Sequence, residues 1–175
     1  MMRWLGRAIL AAILVGVGLW IYTLLFPPPE RVIRKRLNQL AKCVSFASNE
    51  SPLAAAANTQ KLVNFFTPDL EIKITVPGGS SLTLQGRDEL LENAMAARKA
   101  SGSLQVQFLD PQLLITADRL SADVHLIVKA KVGRDGELIV QQLKLVLNKV
   151  ERDWKIKTIE TVKTLSNYYS VERGG

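Results

Sequence analysis

The apolar positions of this chain change their period four times. From Ala8 to Phe26 they have none: nineteen consecutive residues carry no charge and most are apolar. At 1.5 Å per residue such a helix is about 28 Å long, close to the ~30 Å hydrocarbon thickness of a bilayer. Arg3 and Arg7 precede the run and Pro27-Pro28-Pro29 stops it. The closing Tyr22-Thr23-Leu24-Leu25-Phe26 does not suit a signal cleavage site. The pattern predicts an uncleaved anchor over residues 1–29 that contacts a lipid bilayer and places the protein in the membrane as a single pass. Ala8, Ala12 and Gly16 recur on one face of that helix, a spacing that permits close helix pairing.

A helical period follows. Ile33, Leu37, Leu40 and Val44 are spaced by four, three and four, which predicts an amphipathic helix from Glu30 to Ser48 with Pro29 at its start. Ser51-Pro52 reads as an N-cap and first helical residue of a second helix reaching Phe66, with Thr67-Pro68 ending it. Leu70, Ile72, Ile74 and Val76 then alternate with polar residues, a strand that Pro77-Gly78-Gly79-Ser80 turns into a partner over Ser81 to Gln85. Gly86-Arg87-Asp88-Glu89 puts two acids at the positive end of a third helix, and Ser101-Gly102 closes it.

From there the period is two. Leu104 to Phe108 is one strand and Leu113 to Thr116 a short one beyond the Asp110-Pro111 break. Ala122 to Val132, Glu137 to Val150 and Trp154 to Thr164 are long ones. Helices first and an antiparallel meander second is an α+β arrangement, about three helices packed on one face of a curved antiparallel sheet. The expected domain is 30–165, with a tail over 166–175.

The net charge of +7 changes this picture little, because residues 1–42 carry +6 of it and everything from Cys43 onward only +1. A nucleic-acid binder needs a basic face on its folded domain, so nucleic acid is not an expected partner. Arg31, Arg34, Lys35, Arg36 and Lys42 are expected on the solvated side of the first helix, where they would also attract anionic lipid. Arg3 and Arg7 ahead of the anchor favour an extracytoplasmic domain, although the cluster after it biases its own end the same way. Cys43 is the one cysteine, so no disulfide within the chain and no cysteine metal cluster can form; it reads as a small core residue.

Three motifs in order, Gly86-Arg87-Asp88-Glu89-Leu90, Ala117-Asp118-Arg119-Leu120-Ser121-Ala122 and Arg152-Asp153-Trp154-Lys155-Ile156, resemble those of the nuclear transport factor 2-like superfamily, in its SnoaL-like and ketosteroid-isomerase-like branches. The resemblance covers about Glu30 to Leu165. It implies a cone-shaped half-barrel around an apolar pocket, often in a dimer whose sheets pack together. Isomerases of this kind use an Asp base with a Tyr and a protonated Asp. The position that aligns with the base here is Ile74, and Tyr168 and Tyr169 fall in the tail, so the resemblance does not extend to that constellation.

Other candidates are weak. Glu71 lies in the polar phase beside Lys73. His125, the one histidine, shares the outer phase with Asp123, Lys129 and Lys131. Asp118 and Asp123 flank a turn and a strand start, where acids serve the backbone. Trp154 reads as a core anchor. Gln141 alone is polar in the phase of Ile139, Leu143, Leu145 and Leu147, where a buried amide needs a partner and can orient a ligand. No catalytic, cofactor or metal residues are assigned. The expected function is a membrane-anchored, non-enzymatic binding domain for an envelope protein partner or a small apolar ligand. The alternatives are a SnoaL-like enzyme with a rearranged pocket and an anionic-lipid surface module.

Overall fold

The computed structural model describes residues 13, 15–18, 20, 27–75, 80–133 and 136–167. Most of the 8–26 segment lies outside them, as do Pro77 to Gly79 of the first expected turn, Arg134 and Asp135 of the second, and the tail from Tyr168. Among the described residues no helix is long and apolar enough to cross a membrane. The single-pass membrane localisation expected from the sequence, with the domain on the extracytoplasmic side, is corrected on that finding. Hydropathy measures how readily a segment would enter lipid, and a run of apolar residues is not yet a continuous spanning helix.

Three helices, α1 (Pro29–Val44), α2 (Pro52–Val63) and α3 (Gly86–Ser101), pack on a sheet of β1 (Phe66–Thr75), β2 (Ser81–Gln85), β3 (Leu104–Ile115), β4 (Ser121–Val132), β5 (Glu137–Val150) and β6 (Asp153–Asn167). The strand order is β2-β1-β6-β5-β4-β3. Every neighbouring pair is antiparallel except β1 and β6, which run parallel. The wholly antiparallel sheet expected from the sequence is therefore mixed. Alternation of side chains is the same in either direction, so it does not encode the sense of a pairing between distant strands.

Local chemistry accounts for the element ends. Pro29 opens α1, and Ile33, Leu37, Leu40 and Ala41 form its buried stripe. The helix stops at Val44, short of the expected Ser48. Ser45 turns extended there, donates from Oγ to the Ala41 carbonyl at 2.7 Å and accepts the Val106 N–H at 2.9 Å. That ties the helix end to the edge of β3. Ser51 caps α2 by accepting from Ala54 N–H at 3.3 Å. Glu89 accepts the Gln85 N–H at 2.7 Å at the start of α3.

Two strands depart from the expected boundaries. β1 begins at Phe66 and carries an irregularity between Phe66 and Glu71, so Thr67-Pro68 lies inside a strand instead of between elements. β3 is one strand, with a register shift between Leu109 and Gln112 and Asp110 at φ 48°. Pro111 is tolerated because β3 is an edge strand, where a missing N–H removes no ladder bond. Three register shifts between β5 and β6 place an extra residue on β6 each time, and such bulges bend the sheet over the helices.

The core lies between that inner face and the helices. Ala122, Val124, Leu145, Leu147, Trp154 and Ile156 meet Ile33, Leu37 and Leu40, all at most 3% exposed. Burying each large side chain stabilises by roughly 1.5–3 kcal/mol. A second tie is ionic. Arg98 of α3 pairs with Glu50, donates to the Cys43 carbonyl at 2.8 Å and lies over the Phe46 ring at 4.8 Å. Glu50 also accepts from Asn58 Nδ2 at 2.7 Å. One guanidinium thus joins α3, the end of α1, the 45–51 segment and, through Glu50, α2.

The Arg98 and Glu50 side chains are 7% and 15% exposed, so removing one leaves the other charged and unpaired. Arg98→Met is expected to cost about 3–5 kcal/mol in urea unfolding, and the double variant Arg98→Met/Glu50→Gln to regain part of that. A cost below about 1 kcal/mol for Arg98→Met would show the pair to be a surface contact energetically.

Candidate functional site

On the inner face, strand register sets Phe108, Val128, Gln141 and Thr164 in one row across β3 to β6. The next row holds Val106, Ala130 and Ile139. These apolar side chains are half-buried, unlike the fully buried Val124 and Leu145 deeper in the sheet. Gln141 is 4% exposed. Its Nε2 donates to the Thr75 carbonyl at 2.6 Å and to Thr164 Oγ1 at 3.3 Å, which uses both of its hydrogens. Thr75 N–H in turn donates to Thr161 Oγ1 at 3.1 Å. Among the described residues nothing donates to the Gln141 Oε1 oxygen. The amide is anchored by its nitrogen and keeps an unused acceptor beside half-buried apolar side chains.

Elsewhere the candidates serve structure. Glu71 and Lys73 form an exposed ion pair at 2.7 Å, and that hydrogen bond raises the lysine pKa. Asp118 accepts from Thr116 Oγ1 at 2.5 Å and Leu120 N–H at 2.9 Å, bonds that lower its pKa and hold the turn before β4. His125 is half-buried in the outer phase, in register with Gln112 and Lys144. Asp123 pairs with Lys144 at 3.1 Å. Among the described residues no three His, Cys, Asp or Glu side chains gather as a metal ligand set. Trp154 is 3% exposed in the core.

Arg36 corrects the picture of a wholly solvated basic face. It is half-buried, donating from Nε to the Trp154 carbonyl at 3.2 Å and from Nη2 to the Asn64 carbonyl at 3.1 Å, with its guanidinium 4.8 Å from the Phe65 ring centroid. It borders an open groove of about 420 Å³ between α1 and α2, whose wall also includes Lys42, Cys43, Asn58 and Lys61. Sequence reasoning missed this groove. Its only signal is spacing: Arg36, Gln39 and Lys42 recur every three residues, as do Asn58, Lys61 and Asn64.

No family model and no curated protein matches the chain. Solved structures do. A provisionally named scytalone dehydratase from Novosphingobium aromaticivorans aligns with TM-score 0.62 at 17% identity, over 82% of this chain and 89% of its own. A provisionally named aromatic ring hydroxylase from the same organism gives 0.59 at 14%, over 81% and 95%. A nuclear transport factor 2-like protein with a cystatin-like fold, also from N. aromaticivorans, gives 0.55 at 15%, over 85% and 88%. This chain has the nuclear transport factor 2-like, cystatin-like fold.

Identities this low carry the fold alone, so chemistry in this nuclear transport factor 2-like fold rests on its own side chains. Ile74, the position that the resemblance gives to a catalytic base, is a half-buried apolar residue packed against the core. Between Ala122 and Val132 of β4 and between Ile139 and Leu147 of β5 the inner phase is apolar apart from Gln141. Tyr168 and Tyr169 lie outside the described residues.

Cys43 lines the α1–α2 groove, and its Sγ donates to the Asn58 carbonyl at 3.1 Å. Burial pushes its pKa above the ordinary thiol value, although Arg98 and Lys61 pull it down. The thiolate is the reactive form, so native Cys43 is expected to react with Ellman's reagent at pH 8 several-fold more slowly than the urea-unfolded chain. The difference narrows as pH rises through the native pKa, where both forms become thiolate. A native rate equal to the unfolded one at pH 8 would contradict this.

Proposed function

We propose that this protein is a binding domain that takes a small apolar molecule with one hydrogen-bond donor against the inner face of its sheet. The observation that carries the proposal is the free Gln141 acceptor in a half-buried apolar row. That oxygen accepts no hydrogen bond from the described residues, so it can take a ligand N–H or O–H without giving up a bond within the protein. Val106, Phe108, Val128, Ala130 and Ile139 supply the apolar wall, in keeping with sites that are mostly hydrophobic with a few placed polar groups. The bonds from Gln141 to Thr75 and Thr164 fix the amide, so its oxygen needs no reordering on binding. The apolar inner phase favours binding over acid–base chemistry.

N-phenyl-1-naphthylamine is a suitable probe, being apolar with a single N–H. The full chain is expected to enhance its fluorescence saturably at one site in the micromolar range. Val128→Trp should fill the site and abolish the signal. Gln141→Met should weaken binding roughly tenfold, equivalent to about 1.4 kcal/mol, with melting curves separating that loss from unfolding. Lack of saturation, or a signal unchanged in Val128→Trp, would overturn the proposal.

A further inference from the structure

The α1–α2 groove is lined by none of the residues proposed to bind on the inner face of the sheet. Arg36, Lys42 and Lys61 border it, and no carboxylate lines it. Lys42 and Lys61 make no ion pair among the described residues, and Arg36 spends its bonds on backbone carbonyls that leave its charge uncancelled. Glu50, the acid of the adjoining segment, is already held by Arg98 and Asn58. The side-chain amides of Gln39 and Asn64 stand at the same groove without hydrogen bonds among the described residues. At the wall, Lys61 lowers the Cys43 pKa, and the opposed effects of Arg98 and Glu50 there belong to one ion pair.

The geometry points to this groove as a binding site for a small phosphorylated molecule. Three cations lining one groove favour an anion with more than one charge, since a lone carboxylate would leave two of them unneutralised. A phosphate group brings about −1.5 to −2 charge and three strong acceptor oxygens, which suits three cations and two free amides together. Arginine matches such oxygens through its planar fork, and the bonds to Trp154 and Asn64 hold that fork in place. A volume of about 420 Å³ lies in the range of small-molecule sites and exceeds what a bare phosphate fills. Phe65 and the Cys43 side chain offer apolar surface for an organic body attached to the phosphate.

The test uses titration calorimetry on the full chain at about 0.15 M salt, where diffuse surface attraction is screened beyond ~8 Å. The probes are inorganic pyrophosphate, adenosine 5′-monophosphate and citrate. Pyrophosphate and the nucleotide are expected to bind saturably at one site, both tighter than citrate. Lys42→Gln/Lys61→Gln should weaken both at least tenfold. Lys129→Gln/Lys131→Gln, on the outer sheet face, should leave them unchanged. Those four lysines have no ion-pair partner among the described residues, so both doubles should keep the wild-type melting temperature, which is measured alongside. Three results would each overturn the assignment: no saturable binding of either phosphate probe, citrate binding as tightly as they do, or equal weakening in both lysine doubles.

Discussion

The parallel pairing of β1 with β6 joins two halves of the chain that could not stand apart. Without it, β1 and β2 would be an isolated two-stranded ribbon, which is marginal in water, and α3, which packs on that ribbon, would be cut off from the rest of the sheet. The junction is tied at several points. Phe66 sits opposite Ile156 in register, the Ile156 N–H donates to the Phe65 carbonyl at 2.8 Å, and Lys157 pairs with Asp69 at 3.4 Å. Gln141 crosses the same junction from β5 to the Thr75 carbonyl at the far end of β1. The amide proposed to receive a ligand is therefore also a brace of the fold, which ties ligand affinity to the seating of β1.

Two arginines show how the same side chain does different work according to its partners. Arg98 is buried against a carboxylate, so its charge is neutralised locally and it acts as a connector of three helices. Arg36 bonds neutral carbonyls and faces an aromatic ring, so it is held in place with donors to spare and its charge is not cancelled. The helix pair is consequently held together by a residue that also makes the space between the helices electropositive. Burial decides the remaining chemistry there: Cys43 is kept as a thiol by desolvation in spite of the nearby cations.

Side-chain period is a local property, and what depends on it was legible from the chain. The stripe Ile33, Leu37, Leu40 places α1, the alternation from Ala122 to Val132 places β4, and the odd polar residue in the inner phase of β5 singles out Gln141. The cap at Ser51 and the turn at Asp118 follow from side chains a few residues from the backbone they satisfy. The apolar run from Ala8 to Phe26 shows the limit of composition, which names an environment without establishing an element that crosses it.

Tertiary structure decided everything that depends on partners distant in sequence. The sense of the β1–β6 pairing, the continuity of β3 through Pro111 and the bulges on β6 are set by which strand lies alongside, and alternation is blind to that. Gln141 was visible as a buried amide, but Thr75, 66 residues away, was not visible as its acceptor. Arg36 looked like one more solvated cation until the fold brought Trp154, 118 residues on, against it. The groove between α1 and α2 exists only because two separately amphipathic helices pack at one angle. Each helix carries half of its cations and amides, and only packing makes them one site.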